Sequence, residues 1–339
     1  MSVPFFPELI ELEAIIEKLG DRAKVEIIDY IEYENYQFPI HCITLGSEQK
    51  NVPVIMYFGG VHGLEKIGTE ILISYLQTIA ELLEWDRGLA DRLKHSRMVF
   101  VPIVNPVGVF RGSRCNPNGV DLMRNAPIDG IGRVKLYSGH RISPHLPWYR
   151  GNHTQMEQEA LALCQVVQKQ FEQSSLIIAV DLHSGFGIQD RLWFPYASTK
   201  KPFHSLPEIY ALKALLDKCY PNHFYKFEPT SEEYVIHGDL WDYLYDDFLA
   251  KKTNEQALFI PLTLEMGSWL WLRKNPMHLF LRHGLFHPVL PHRQQRIMRR
   301  HLILFDFLYR ATLYSQKWVN LPIEERQDFE QQALRFWYE

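Results

Sequence analysis

His62 and Glu65 form an H-x-x-E pair at the end of an apolar run, and a second histidine, His183, closes another run in Asp-Leu-His-Ser-Gly. Two imidazoles and one carboxylate are the ligand set of a catalytic zinc whose fourth position stays open for water. The trio therefore points first to metal-assisted hydrolysis. Taken singly, each residue also reads blandly: a histidine satisfied in a loop, or an acid favoured in a first helical turn by the helix dipole. H-x-x-E arises by chance in many chains, so the weight lies on the combination and on what positions it.

Those positions follow from hydrophobic patterning. Residues 52–58 are a continuous apolar run ending in Gly59-Gly60, the pattern of a strand buried on both faces. Residues 98–104, 176–182 and 258–264 read as further strands, while 64–85 and 155–171 have helical periodicity. A helix over 8–19 and two alternating runs, 25–31 and 38–45, predict a helix followed by a hairpin at the sheet edge. Helices over 293–314 and 323–337, bounded by Pro288, Pro291 and Pro322, close the chain. Strands alternating with helices predict an α/β sandwich around a mixed, mostly parallel sheet. All three candidate ligands then sit beyond the carboxyl end of a strand, where open α/β sheets place their ligand crevice. Glu65 and His183 have 117 residues between them, so a second strand must bring the third ligand in.

Composition narrows the classes. With 36 basic and 40 acidic residues the net charge is -4, which supplies no global field for a polyanion or an acidic membrane, so nucleic acid and membrane are not expected partners. Four scattered cysteines, Cys42, Cys115, Cys164 and Cys219, form neither a zinc knuckle nor a disulfide framework. The amino-terminal stretch carries acids where a signal peptide carries basic residues, and the chain reads as cytoplasmic. No linker or repeat divides it, so 1–339 is expected to be a single catalytic domain with 293–339 as a helical C-terminal cap.

Four islands, GGVHGLE, VPIVNPVGVFRGSRCNPNGVDLMRNAP (101–127), DLHSG and TLEMGS, occur together in order. In order and approximate spacing they resemble the zinc carboxypeptidase family, the funnelin-like M14 metallopeptidases, over roughly residues 20–315. The resemblance implies a three-layer sandwich with a central twisted sheet flanked by helices. It also implies one Zn2+ per chain on His62, Glu65 and His183, with Glu265 as general base. Arg114 matches the arginine that polarises the scissile carbonyl and stabilises the oxyanion. Arg124 matches the one that clamps a terminal carboxylate, a task that suits the guanidinium fork. Asp121 matches the acid that orients the first histidine ligand. Tyr234 is the candidate for a mobile tyrosine that closes over substrate, although its 31 residues of separation from Glu265 exceed the usual spacing.

The pattern departs from the family at one place. Members with ordinary carboxypeptidase activity read D-x-N-R, whereas Met123 stands here in place of the asparagine. A thioether cannot donate the amide hydrogen bond that would assist Arg124, a loss of about 1 to 3 kcal/mol where the bound carboxylate is desolvated. Three readings stay open. The first is a zinc metallocarboxypeptidase acting on a peptide with a free carboxylate. The second is an N-acyl amino acid deacylase resembling the aspartoacylase and succinylglutamate desuccinylase branch, and the third is a catalytically silent zinc-binding module. The basic run 292–301 reads as a solvated helix face, and Trp269 and Trp271 as pocket wall or core. His278, His283 and His287 lack a spacing that predicts a second metal.

Overall fold

A computed structural model describes residues 4–339 except 133, 153, 154, 253, 270–272, 274–283, 285 and 289. Helix α1 (Pro7–Leu19) leads into the antiparallel hairpin β1 (Ala23–Tyr33) and β2 (Tyr36–Gly46), followed by β3 (Val54–Gly59) and α2 (Lys66–Leu82). The 64–85 periodicity overshoots α2, because Asp86 accepts from the Leu89 amide and caps a separate helix, α3 (Arg87–Leu93). Strand β4 (Arg97–Val101) stops before Pro102, which has no amide to donate to a ladder. After α4 (Pro106–Arg111) a long loop leads to α5 (Gln158–Phe171), β5 (Leu176–Ser184), β6 (Arg191–Phe194) and α6 (Leu206–Cys219). The chain finishes with β7 (Lys226–Pro229), α7 (Leu240–Lys251), β8 (Leu258–Met266), α8 (Pro291–Leu313) and α9 (Ile323–Trp337).

The eight strands lie in the order β1-β2-β4-β3-β5-β8-β6-β7. Strands β4, β3, β5 and β8 are mutually parallel, and the opening hairpin makes the near edge antiparallel. The far edge also reverses, since β6 runs antiparallel to β8 while β7 is parallel to β6. Patterning did not anticipate β6 and β7, which at four residues each are too short to establish an alternation.

Neighbouring residues of β3 define the two sides of the sheet, as period-two geometry requires. The Tyr57 ring packs on Tyr75 of α2 and Phe305 of α8, whereas the Phe58 ring meets Trp241 of α7. Helices α2 and α8 thus cover one face and α7, with α5 beside it, the other, giving the three-layer sandwich. Every residue of β3 and β5 is buried, the exposure expected of parallel strands sandwiched between helices. Among the described residues no helix is long and apolar enough to cross a membrane.

Candidate active site

The parallel register does most of the positioning. In β5 and β8, His183 and Glu265 are direct partners, and Gly59 at the end of β3 pairs with Leu182 one strand over. His62 leaves β3 on a turn that can form only if α4 comes close. A Cβ on Gly63 would lie 1.9 Å from the Gly108 carbonyl carbon. Glu65 occupies the N-cap position of α2, with its amide donating to the His62 carbonyl at 3.1 Å. The turn and the strand end together bring His62, Glu65 and His183 into one buried cluster whose candidate ligand atoms lie within 4.8 Å of one another.

Both imidazoles present the same edge inward. Nδ1 of His62 lies 3.0 Å from Glu65 Oε1, and Nδ1 of His183 lies 3.1 Å from Glu65 Oε2. Their outer nitrogens face carboxylates, His62 Nε2 at 2.9 Å from Asp121 Oδ1 and His183 Nε2 at 2.8 Å from Asp181 Oδ2. A carboxylate only accepts, so a neutral ring that donates to Asp121 or Asp181 has only a lone pair to offer Glu65. Contact with Glu65 then needs either a second ring proton or a cation between the two Nδ1 atoms and the carboxylate. Zinc bond lengths of about 2.0 to 2.1 Å at tetrahedral angles put neighbouring ligand atoms about 3.3 Å apart, close to the observed separations. The residues present fit the metal.

Asp121 is shared widely. Its carboxylate also accepts from Arg114 Nε at 2.9 Å and Arg124 Nη1 at 3.2 Å. Burial opposes its charge, but Arg114, Arg124 and His62 outweigh burial and hold its pKa well below the ordinary range. Burial likewise opposes charge on Glu65, whose pKa is held low by His62 and His183. His183 goes the other way: burial disfavours its imidazolium, yet Asp181 and Glu65 raise its pKa well above the usual value. At Glu265 burial and the neighbouring Glu65 charge act together and push the carboxyl up to about 8. A cation in the cluster would draw it back toward ionisation.

These groups open into a cavity of about 720 Å³ whose wall includes Arg114, Met123, Arg124, Trp148, Phe186 and Tyr234. Arg124 is 4% exposed; its Nε donates to the Tyr137 carbonyl at 3.2 Å, and its Nη2 has no partner among the described residues. Glu265 Oε1 accepts from the Phe186 amide at 3.0 Å. Tyr234 packs its ring on Tyr137 and Phe186, in the same wall as Glu265. The structure therefore brings His62, Glu65, Arg114, Arg124, His183, Tyr234 and Glu265 to one cavity, with Asp121 behind His62 and Arg114.

Asp181 and Trp241 were not singled out. Asp181 precedes His183 by two residues on one strand, so both side chains leave the same face, and Trp241 Nε1 donates to Asp181 Oδ2 at 3.0 Å. The D-x-H spacing was the available signal, whereas Trp241 carries none, because it arrives from another helix. Trp269 packs its ring tilted against Phe186 and donates to the Gly185 carbonyl at 2.8 Å. Trp271, His278 and His283 lie outside the described residues, and His287 Nε2 lies 3.7 Å from Glu70 Oε1. The arginines of the 292–301 run are exposed or partly exposed on α8, whose Ile297 is buried.

Comparison with known proteins gives the same direction. The sequence profile of the zinc carboxypeptidase family matches residues 33–267, and the chain belongs to that family. It is 22% identical to the carboxypeptidase N catalytic chain of Rattus norvegicus over 223 residues, 57% of this chain and 46% of that relative. It is 28% identical to carboxypeptidase D of Homo sapiens over 91 residues, 24% of this chain and 7% of the other. The aligned region thus spans less than half of either relative. Among solved structures, bovine thrombin-activatable fibrinolysis inhibitor in complex with tick carboxypeptidase inhibitor superposes with a TM-score of 0.65. The sequence identity is 17%, over 91% of this chain and 96% of that one. Carboxypeptidase A from Helicoverpa armigera gives a TM-score of 0.65 at 16% identity, over 90% and 72% of the two chains. These likenesses establish a shared fold.

Proposed function

We propose that this chain is a zinc-dependent metallocarboxypeptidase that hydrolyses the amide bond next to the carboxylate-bearing terminal residue of a peptide. The observation that carries the reading is the meeting, in one cavity, of the His62, Glu65 and His183 cluster with Glu265 and the uncommitted end of Arg124. Bound zinc would supply Lewis acidity, polarising the carbonyl and bringing the pKa of a water to about 7. Asp121 and Asp181 keep the imidazole protons on Nε2, so that both Nδ1 lone pairs face the ligand position. Glu265 takes the proton of the attacking water and later delivers it to the departing amine. Arg114, whose Nη1 is 3.4 Å from Glu65, faces the developing oxyanion, and Arg124 holds the substrate carboxylate. Tyr234 closes the aromatic wall over the bound residue. The packing of α8 on β3 and β5 and of α9 on α6 supports treating 1–339 as one catalytic domain capped by 293–339.

Glu265→Gln should abolish release of free amine from N-acylated dipeptides while the protein still binds stoichiometric zinc. Unchanged turnover would reject the assigned base. A second reading, N-acyl amino acid deacylation, draws support from Met123, a 6% exposed thioether in the cavity wall where an amide donor would serve a peptide terminus. A panel of dipeptides against N-acyl amino acids, scored by amine release, separates the two.

A further inference from the structure

A second cavity, of about 450 Å³, lies between the sheet and α5 and shares no lining residue with the active site. Its walls follow from the two periods that meet there. Lys24 and Glu26 of β1 pair with Thr44 and Cys42 of β2, and Thr44 pairs in turn with Val99 of β4, two residues after Arg97, so all of them leave one face of the sheet. From α5, Ala162, Val166, Lys169 and Gln170 recur at the spacing of a single helical face and close the cavity from above. Arg97 begins β4, which places the cavity at the end of the parallel strands opposite to His183 and Glu265.

Space between a sheet and its covering helix is ordinarily filled by apolar side chains, but here it holds charge. Arg97 is 4% exposed, and a guanidinium so buried is seldom found without an acid beside it. It meets only neutral acceptors: Nε donates to the Ser47 carbonyl at 2.8 Å, Nη2 to the Gln49 carbonyl at 3.1 Å, and Nη1 to Gln170 Oε1 at 2.6 Å and Gln173 Oε1 at 3.5 Å. These bonds satisfy its donors and leave its charge unmatched. Burial lowers its pKa, and only Glu48, an exposed acid of the rim, acts against that. Lys169 is paired with Glu26 at 3.3 Å, whereas the ammonium groups of Lys24 and Lys50 have neither ion pair nor hydrogen bond among the described residues. Four cations therefore face two acids around one cavity, on a chain whose overall charge is -4.

We propose that this cavity binds a small phosphomonoester, its phosphate between Arg97, Lys24 and Lys50 and its organic body against Val99, Ala162 and Val166. A dianion matches the surplus of positive charge, which a monocarboxylate would meet only in part, and lysine serves phosphate as a point charge without a fixed fork. The volume falls within the range of small-molecule sites. No step of hydrolysis enters the inference, and it stands independently of the carboxypeptidase reading.

Calorimetric titration with phenyl phosphate at pH 8, where the ester is a dianion, tests the site. Lys24 and Lys50 are exposed and unpaired, so Lys24→Gln/Lys50→Gln spares the fold that loss of the Arg97 hydrogen bonds would endanger. This variant should bind phenyl phosphate about tenfold more weakly than wild type, as the loss of two exposed charge contacts implies. Equal affinities would overturn the proposal. Lys218→Gln/Lys317→Gln removes the same charge at two exposed lysines that line neither cavity, and it should bind as wild type does. An equal loss there would reduce the effect to net charge and overturn the cavity as its source. Benzoate and inorganic phosphate each carry one half of the proposed ligand. Read as the difference between wild type and Lys24→Gln/Lys50→Gln, which sets aside any anion bound at the active site, each should bind severalfold more weakly than phenyl phosphate; parity of either would overturn the ligand class.

Discussion

Two buried carboxylates in this cavity are driven apart by their surroundings. Glu65 lies between two imidazoles and stays ionised, while Glu265 on the adjoining strand is raised to about 8 by burial and by Glu65 itself. Under the proposed function, opposed environments of this kind suit one acid to charge and coordination and the other to proton transfer. The same residue-scale logic makes Asp181 a positioning residue. It fixes the His183 tautomer and is itself held by the Trp241 indole. Asp181→Asn should weaken zinc binding by about 10- to 100-fold, read by competition with a metal indicator. An unaltered zinc dissociation constant would remove Asp181 from the site.

At the scale of elements, the site is the product of strand register and one close helix approach. A one-residue slip between β5 and β8 would turn either His183 or Glu265 away from the cavity they share. The turn carrying His62 depends on Gly63 against the backbone of α4, a neighbour that cannot rotate away. Gly63→Ala should therefore destabilise the fold by about 3 kcal/mol, measured by urea denaturation, and reduce zinc uptake in parallel. Retention of full stability would show that α4 yields. The long loop after α4 is tied at several points: Asp121 donates its amide to Tyr149 at 2.8 Å, and Arg150 Nε donates to the Arg124 carbonyl at 3.1 Å.

Stability of the whole molecule should depend on pH through acids buried outside the site. Glu159 at the start of α5 is 2% exposed, and burial pushes its carboxyl from 4.5 up to about 7. An acid whose folded pKa is raised contributes stability that is complete below its unfolded pKa and is lost as pH rises through the folded value. Between pH 4.5 and 8 this one group removes about 3 kcal/mol, taking 1.36 kcal/mol per pKa unit. Glu159→Gln, which can still accept from Asn116 at this position, should be more stable than wild type at pH 8 and equal to it near pH 4.5 in parallel thermal melts. Identical pH profiles would mean that Glu159 finds another partner on ionising. Zinc acts in the opposite sense: saturation at about 1,000 times its dissociation constant should add about 4 kcal/mol, and chelation should lower the melting temperature accordingly.

Local order was legible in the chain because it depends on local period and punctuation. The apolar runs that became β3, β5 and β8, the glycine turn before Glu65 and the strand-end placement of His62, His183 and Glu265 all follow from residues near one another in sequence. The short edge strands β6 and β7 escaped because four residues cannot display a period. Family likeness singled out Arg114, Asp121 and Arg124, but not how one carboxylate would serve both arginines and His62. Only the tertiary structure decided that Trp241 would support Asp181 and that Glu265 would be raised. Each of these depends on groups distant in the chain and on the exclusion of water between them, and neither quantity is encoded in any single stretch of sequence.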